Sequence, residues 1–240
     1  MTASATGVMT AGQIIAELEA LGSEKTKKRY ISNGAREPLF GVATGAMKPL
    51  FKQIKQNQPL ADELYASGNY DAMYFAGMIA DPNSMGAPDY DRWMETAYFY
   101  MLSDYVVAVT LSESDIAQAV ADRWLDSTQE LFRSAAWSCY QWLLGWRPDD
   151  FFDRDKISAL LDRAAESALH ETKHVQDTIN GFVAAVGVSY LPLHEQALAV
   201  AGRLNDPDQA DSCAFPQALA AILKAKDKGR LGFKRKAVRC

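Results

Sequence analysis

The chain has 240 residues, 48% hydrophobic, 10% aromatic and 23% charged, ordinary globular proportions that exclude collagen-like and wholly disordered chains. No apolar run reaches the ~18 residues of a membrane span, and residues 1–13 lack the cationic region and apolar core of a secretory signal. The net charge of −5 hides two basic blocks: residues 24–55 carry +6, residues 224–240 carry +7, and the remainder carries −18, a segregation that points either to a polyanionic partner or simply to Lys-rich ends that keep the chain in solution.

In chain order, residues 11–21 place Ile14, Ile15, Leu18 and Leu21 at helical spacing. The first basic block follows. Residues 60–65 and 70–80 form short amphipathic helices split by Gly68-Asn69, and residues 89–111 predict one long, mostly apolar helix. Ser112, with Asp115 three residues on, predicts a capped start for a helix to Trp124. Residues 127–146 form another apolar helix closed by Arg147-Pro148. Residues 153–172, 174–190, 194–204 and 213–225 continue the pattern. No stretch alternates with period two, so strands are excluded. Short joints imply antiparallel neighbours. The expected fold is all-α, helical hairpins stacked as a HEAT-like superhelix with a period near 35–45 residues. Residues 1–228 make one helical-repeat domain, and 229–240 a basic, flexible tail. The three cysteines, Cys139, Cys213 and Cys240, are too few and too scattered for a disulfide framework, so a reducing cytoplasm is the expected compartment.

Two lone charges stand in apolar helices. Asp104 is the only charged side chain between Thr96 and Ser112, on the face predicted to carry Trp93, Ala97 and Tyr100. Arg133 is the only one between Leu131 and Trp146, sharing its face with Trp137 and Tyr140. A carboxylate in such surroundings costs several kcal/mol unless it is paired or faces a cleft. Arg133 is its natural partner. The pair is read either as an internal lock on helix register or as the floor of an aromatic-lined cleft. A second pattern, His170-Glu171-Thr172-Lys173-His174, matches H-E-x-x-H. On one helix it would offer both imidazoles to zinc, with Glu171 as base and Glu195 or His194 as third ligand. The alternative is that the two histidines simply flank the apolar stripe Val175, Ile179, Phe182, Val183 and Val186.

Tyr30-Ile31-Ser32-Asn33, then Phe40-Gly41-Val42-Ala43-Thr44 with Lys48, Leu50 and Lys52, resembles the N-terminal signature of the AlkD-like DNA alkylation-repair proteins. Leu60-Ala61 with Tyr65, Asn69-Tyr70-Asp71 and the run to Asp81, Asn180-Gly181-Phe182 and the run to Gly187, and the tail from Arg230 continue the resemblance over most of the chain. It implies a HEAT-like superhelix that holds duplex DNA. It also implies hydrolytic release of cationic N3- and N7-alkylated purines, with no metal and no cofactor. The family's aspartate falls on Asp104 and its arginine on Arg133. Its aromatics fall on Tyr100 and on Phe182 after Gly181, both departing from tryptophan. Trp137 joins them as a third ring toward substrate.

An alkylated purine already leaves as a neutral base, so no general acid is needed. A fixed carboxylate then stabilises the positively charged sugar, aromatic faces attract the cationic base, and Arg133 holds a neighbouring phosphate. Lys27, Lys28, Arg29, Lys48, Lys52, Arg230, Lys234, Arg235 and Lys236 supply sequence-independent phosphate contacts. The alternative from another class is a non-catalytic helical-repeat scaffold that binds nucleic acid or protein.

Overall fold

The structure is a computed structural model that describes residues 9–204 and 217–239. Among these residues every regular element is helical. The chain divides into two compact units, Met1–Leu102 and Ser103–Cys240. No helix among the described residues is long and apolar enough to cross a membrane.

The first unit contains α1 (Ala11–Leu21), α2 (Glu24–Ser32), α3 (Thr44–Ile54), α4 (Gln58–Ala66), α5 (Tyr70–Ile79), α6 (Ala87–Thr96) and the short turn α7 (Tyr100–Leu102). Side chains set the helix starts. Thr10 and Gln13 form a reciprocal capping box at α1. Asn57 and Asn69 accept the backbone N–H groups of Leu60 and Ala72 at 3.2 and 3.1 Å, starting α4 and α5. Helix α5 is the centre of the unit, burying nine of its ten residues. Helix α2 buries none and so leaves no apolar periodicity; α3 buries Met47 and Leu50, and no helix is predicted over either because both lie in the basic block.

The segment 38–42 ties α2 to α5. The Asp71 carboxylate on α5 is fully buried. It accepts three backbone N–H groups in succession, those of Phe40 (2.6 Å), Gly41 (3.0 Å) and Val42 (2.8 Å). Tyr70 N–H donates to the Pro38 carbonyl at 3.0 Å, and Ser23 N–H to that of Gly41 at 3.1 Å. The Tyr30 hydroxyl donates to the Val42 carbonyl at 2.9 Å. Gly41 adopts φ +78°, and a Cβ there would lie 2.3 Å from the Lys27 backbone nitrogen, so only glycine allows this approach. Tyr65 on α4 stacks flat on Trp93 of α6, with ring centroids 4.1 Å apart, and donates its hydroxyl to the Trp93 carbonyl.

The helix predicted over 89–111 is interrupted. Helix α6 stops at Thr96. The next residues serve tertiary contacts instead: the Tyr98 hydroxyl accepts the Arg36 N–H at 3.1 Å, and Phe99 packs on the Tyr70 ring at 5.5 Å. The single face expected to carry Trp93, Ala97, Tyr100 and Asp104 therefore does not form.

The second unit opens on a π-helical turn (Ser103–Val107) that runs into α8 (Ala108–Ser112). It continues through α9 (Ala117–Leu125), α10 (Glu130–Trp146), α11 (Arg154–Ser167), α12 (Lys173–Ser189), α13 (His194–Leu204) and α14 (Ala218–Asp227). Ser112 ends α8 and donates to the Val109 carbonyl at 2.7 Å, rather than capping the next helix, which starts at Ala117. Helix α10 is central: the π turn, α8, α9 and α12 pack on it, and α12 in turn carries α13 and α14. A Cβ at Gly181 would lie 2.3 Å from Gln141 Oε1, the tip of a flexible side chain on α10. Cys139 is a buried thiol on α10, and burial pushes its pKa up, which keeps it unreactive. Cys213, Cys240 and the predicted helix start at 213 lie outside the described residues.

The expected flexible tail is docked on this unit through residue 239. Gly232 and Arg235 donate their N–H groups to the Val188 and Gly145 carbonyls, each at 2.7 Å. Lys234 reaches the Leu144 carbonyl (2.9 Å) and Asp149 (2.8 Å). Glu113 accepts the N–H groups of Val238 and Arg239 at 3.3 and 3.1 Å and the Arg239 Nε–H at 2.8 Å. These are ion pairs and backbone bonds, which an apolar-periodicity argument does not register.

Candidate functional site

Within the second unit, three elements converge on Asp104. The π turn supplies Asp104 and its neighbour Ser103, α10 supplies Ser134, and the start of α12 supplies His174. Asp104 is only 2% exposed. Its Oδ1 accepts the Ser103 hydroxyl at 2.8 Å. Its Oδ2 accepts the Ser134 hydroxyl at 2.7 Å and pairs with His174 Nε2 at 2.8 Å. Its backbone carbonyl accepts the Trp142 indole N–H at 3.3 Å. Both carboxylate oxygens are thus engaged inside the protein, which is how a buried acid avoids the cost of desolvation.

His174 gains from the same arrangement. Burial acts to lower the imidazole pKa. The hydrogen bond to Asp104 and its charge, with Asp177 and Glu130 nearby, outweigh that and raise it above the ordinary value of 6.5. The protonated ring is therefore the favoured donor to Asp104.

Arg133 does not pair with Asp104 as the sequence suggests; it pairs with Glu171. Its Nε and Nη2 grip the Glu171 carboxylate at distances of 2.8–3.1 Å, and Nη1 donates to the Ser127 carbonyl at 2.9 Å. This is the bidentate fork that suits guanidinium to carboxylate. The two side chains are 20% and 16% exposed. Gln176 holds the Glu171 backbone carbonyl at 2.9 Å, and Thr172 donates to Glu130 at 2.8 Å.

These pairs also correct the zinc reading. His170 closes a 3-10 turn (Ala168–His170), Glu171 and Thr172 are extended, and α12 starts at Lys173. The five-residue pattern straddles a helix break, so His170 and His174 do not share a helical face. Glu171 and His174 are already engaged by Arg133 and Asp104. Glu195 stands 88% exposed, 4.0 Å from His194 Nε2, while His194 Nδ1 lies 2.6 Å from the Gly187 carbonyl. Among the described residues no group of three His, Cys, Asp or Glu side chains is disposed to hold a metal. The outcome is that two members of the motif serve as partners for the two lone charges. Thr172, a helix-favouring start just before an apolar stripe, is the sequence signal for the break.

The aromatic assignments change as well. Phe182 and Trp137 are core residues, 0% and 2% exposed. Their rings are tilted against each other at 5.0 Å, with Tyr140 edge-on to Phe182 at 6.1 Å. Neither presents a face to a ligand. Tyr100 is half-buried on α7 of the first unit, edge-on to Phe99 at 5.7 Å.

The predicted DNA-contacting cations divide into two groups. Lys27 pairs with Glu37 at 2.7 Å, and Lys234 with Asp149. Lys28, Arg29, Lys48, Lys52, Arg230, Arg235 and Lys236 are exposed. Lys48 and Lys52 stand one turn apart on α3, and Lys25, Lys28 and Arg29 fall on one face of α2.

A family model described as "DNA alkylation repair enzyme" matches residues 14–222. Lin0241 of Listeria innocua, an uncharacterized protein, is 28% identical over 230 residues, covering 92% of this chain and 99% of that protein. Lmo0209 of Listeria monocytogenes is 27% identical with the same coverage. A solved structure described as "a new family of proteins related to the HEAT-like repeat DNA glycosylases with affinity for branched DNA structures" superposes with a TM-score of 0.89. It is 55% identical and covers 97% of this chain and 100% of its own. The helical architecture is therefore HEAT-like, and the match over residues 14–222 takes in both the strap held by Asp71 and the Asp104 cluster. On that span this chain belongs to the DNA alkylation repair enzyme family.

Proposed function

We propose that this protein binds branched DNA through its exposed basic side chains and does not excise bases through Asp104. The observation that carries the reading is a contrast among its charges. Seven of the nine cations assigned to DNA face solvent, whereas Asp104 and Arg133 are engaged by internal partners. A carboxylate that stabilises a developing cation must face the place where that charge forms; this one faces two hydroxyls and an imidazole. The affinity for branched DNA of the 55%-identical structure supports the same class of ligand here. The base-excision reading requires Asp104 and an aromatic face to meet the lesion together. Phe182 and Trp137, two of the rings assigned to that task, lie in the core.

The expected behaviour is electrostatic. In fluorescence anisotropy, a four-way junction should bind more tightly than a linear duplex of equal length, with affinity falling steeply as salt rises. The double variant Lys48→Gln/Lys52→Gln should weaken binding to both forms. It should also flatten the log–log salt dependence by about 0.9 for each phosphate that the variant no longer neutralises. Equal affinity for junction and duplex, or affinity indifferent to salt, would contradict the reading.

A further inference from the structure

We infer that Tyr105, Trp142 and Arg235 form a stacking site for an unpaired nucleobase, with Arg235 and Lys236 on its phosphate; this rests on the DNA-binding reading above. All three residues belong to the second unit. Tyr105 follows Asp104 in the π turn but faces the other way: Asp104 is enclosed, and Tyr105 is 48% exposed. Its ring stands edge-on to the Trp142 indole, with centroids 6.2 Å apart and planes at 74°. Trp142 is half-buried, and its indole N–H is fixed on the Asp104 carbonyl. The Arg235 guanidinium lies over the Trp142 ring, 5.0 Å from its centroid.

The docking of the tail explains why Arg235 stands there. Lys234 is held by Asp149 and the Leu144 carbonyl, Arg235 N–H by the Gly145 carbonyl, and Arg239 by Glu113. Between these fixed points Arg235 and Lys236 remain exposed. The chain thus holds a cationic segment in a set place against the Trp142 ring, which Tyr105 meets edge-on. An exposed aromatic ring, here Tyr105, with a guanidinium on the neighbouring ring is the chemistry that takes a nucleobase on its π face and the adjoining phosphate on its charge. In an intact duplex the bases are stacked on one another and offer no free face. A base at a branch point or in a single-stranded flap does. The site therefore selects unstacked DNA and adds to the sequence-independent grip of the exposed cations.

The test uses the full chain with two probes of the same sequence, a linear duplex and a duplex carrying a single-stranded flap with 2-aminopurine at its first unpaired position. Wild type should quench the 2-aminopurine fluorescence on binding. Tyr105→Ala should bind the flapped probe about tenfold more weakly and lose the quenching, with linear-duplex affinity unchanged. Tyr105→Phe should restore both. Arg235→Gln should weaken the flapped probe and lower its salt slope by about one. Thermal unfolding of each variant at the wild-type temperature establishes that the fold is intact. If Tyr105→Ala binds and quenches the flapped probe as wild type does, the stacking site is refuted while DNA binding stands. If wild type binds neither probe, both the site and the DNA-binding reading fall.

Discussion

Asp71→Ala is expected to destabilise the first unit by about 3–5 kcal/mol, because it strands the N–H groups of Phe40, Gly41 and Val42, the last two of them buried. Hydrogen bonds to a charged acceptor contribute ~1.5–3 kcal/mol each, and every buried donor left without a partner costs ~1–3 kcal/mol. The full sum is not reached, since the strap can shift to admit water once the carboxylate is gone, but the loss remains in the range of broken buried networks. Against a total stability of ~5–15 kcal/mol it should be plain in urea denaturation followed through Trp93, the only tryptophan of this unit. Asp71→Asn keeps one acceptor oxygen and should fall between alanine and wild type. A midpoint for Asp71→Ala equal to that of wild type would show that the strap is held by something else.

The second large effect is expected at the Asp104–His174 pair. Breaking a buried ion pair by removing one partner costs ~3–5 kcal/mol, and Asp104→Ala also strands the Ser103 and Ser134 hydroxyls. Its loss of stability below pH 6.5 should be of that order. The pH dependence has a definite sign. The folded-state pKa of His174 is raised above 6.5, so the folded protein binds the proton more tightly than the unfolded chain. That stabilisation is fully present below the ordinary value and is lost as pH rises through the raised one. Wild type should therefore lose stability on the alkaline side of 6.5, and His174→Gln should lack that limb. Matching pH profiles for wild type and His174→Gln would remove the pair from the account.

Much of the fold was legible because buried helices write their period into the sequence. The stripes of α1, α4, α5 and α12 are of that kind. Helices α2 and α3 were not legible as helices, since α2 buries no side chain and both lie in a block that reads first as charge. The break at Thr96 was not legible either, because Tyr98 and Phe99 leave the helix for partners more than 25 residues away. The N-terminal signature was visible as a pattern, while its cause was not: the strap around Gly41 and the caged Asp71 lie about thirty residues apart.

The same limit governs the site. Asp104 and Arg133 stood out as lone charges, because composition along a helix shows what is isolated. Their partners come from 70 and 38 residues away, and which partner each takes depends on where α12 begins. One helix through 170–174 would have paired the histidines; a break at Thr172 sends Glu171 to Arg133 and His174 to Asp104. Phe182 and Trp137 show the converse. Aromatics on apolar helices fit a cleft wall and a core equally well in sequence, and only packing separates the two.

The central claim is that Asp104 serves the fold of the second unit rather than the hydrolysis of a glycosidic bond. The most direct measurement is base release from duplex DNA carrying N7-methylguanine and N3-methyladenine, quantified by chromatography, for wild type and Asp104→Asn under conditions where both are folded. The account predicts release at the uncatalysed rate for both proteins. Release by wild type that is lost in Asp104→Asn would contradict it.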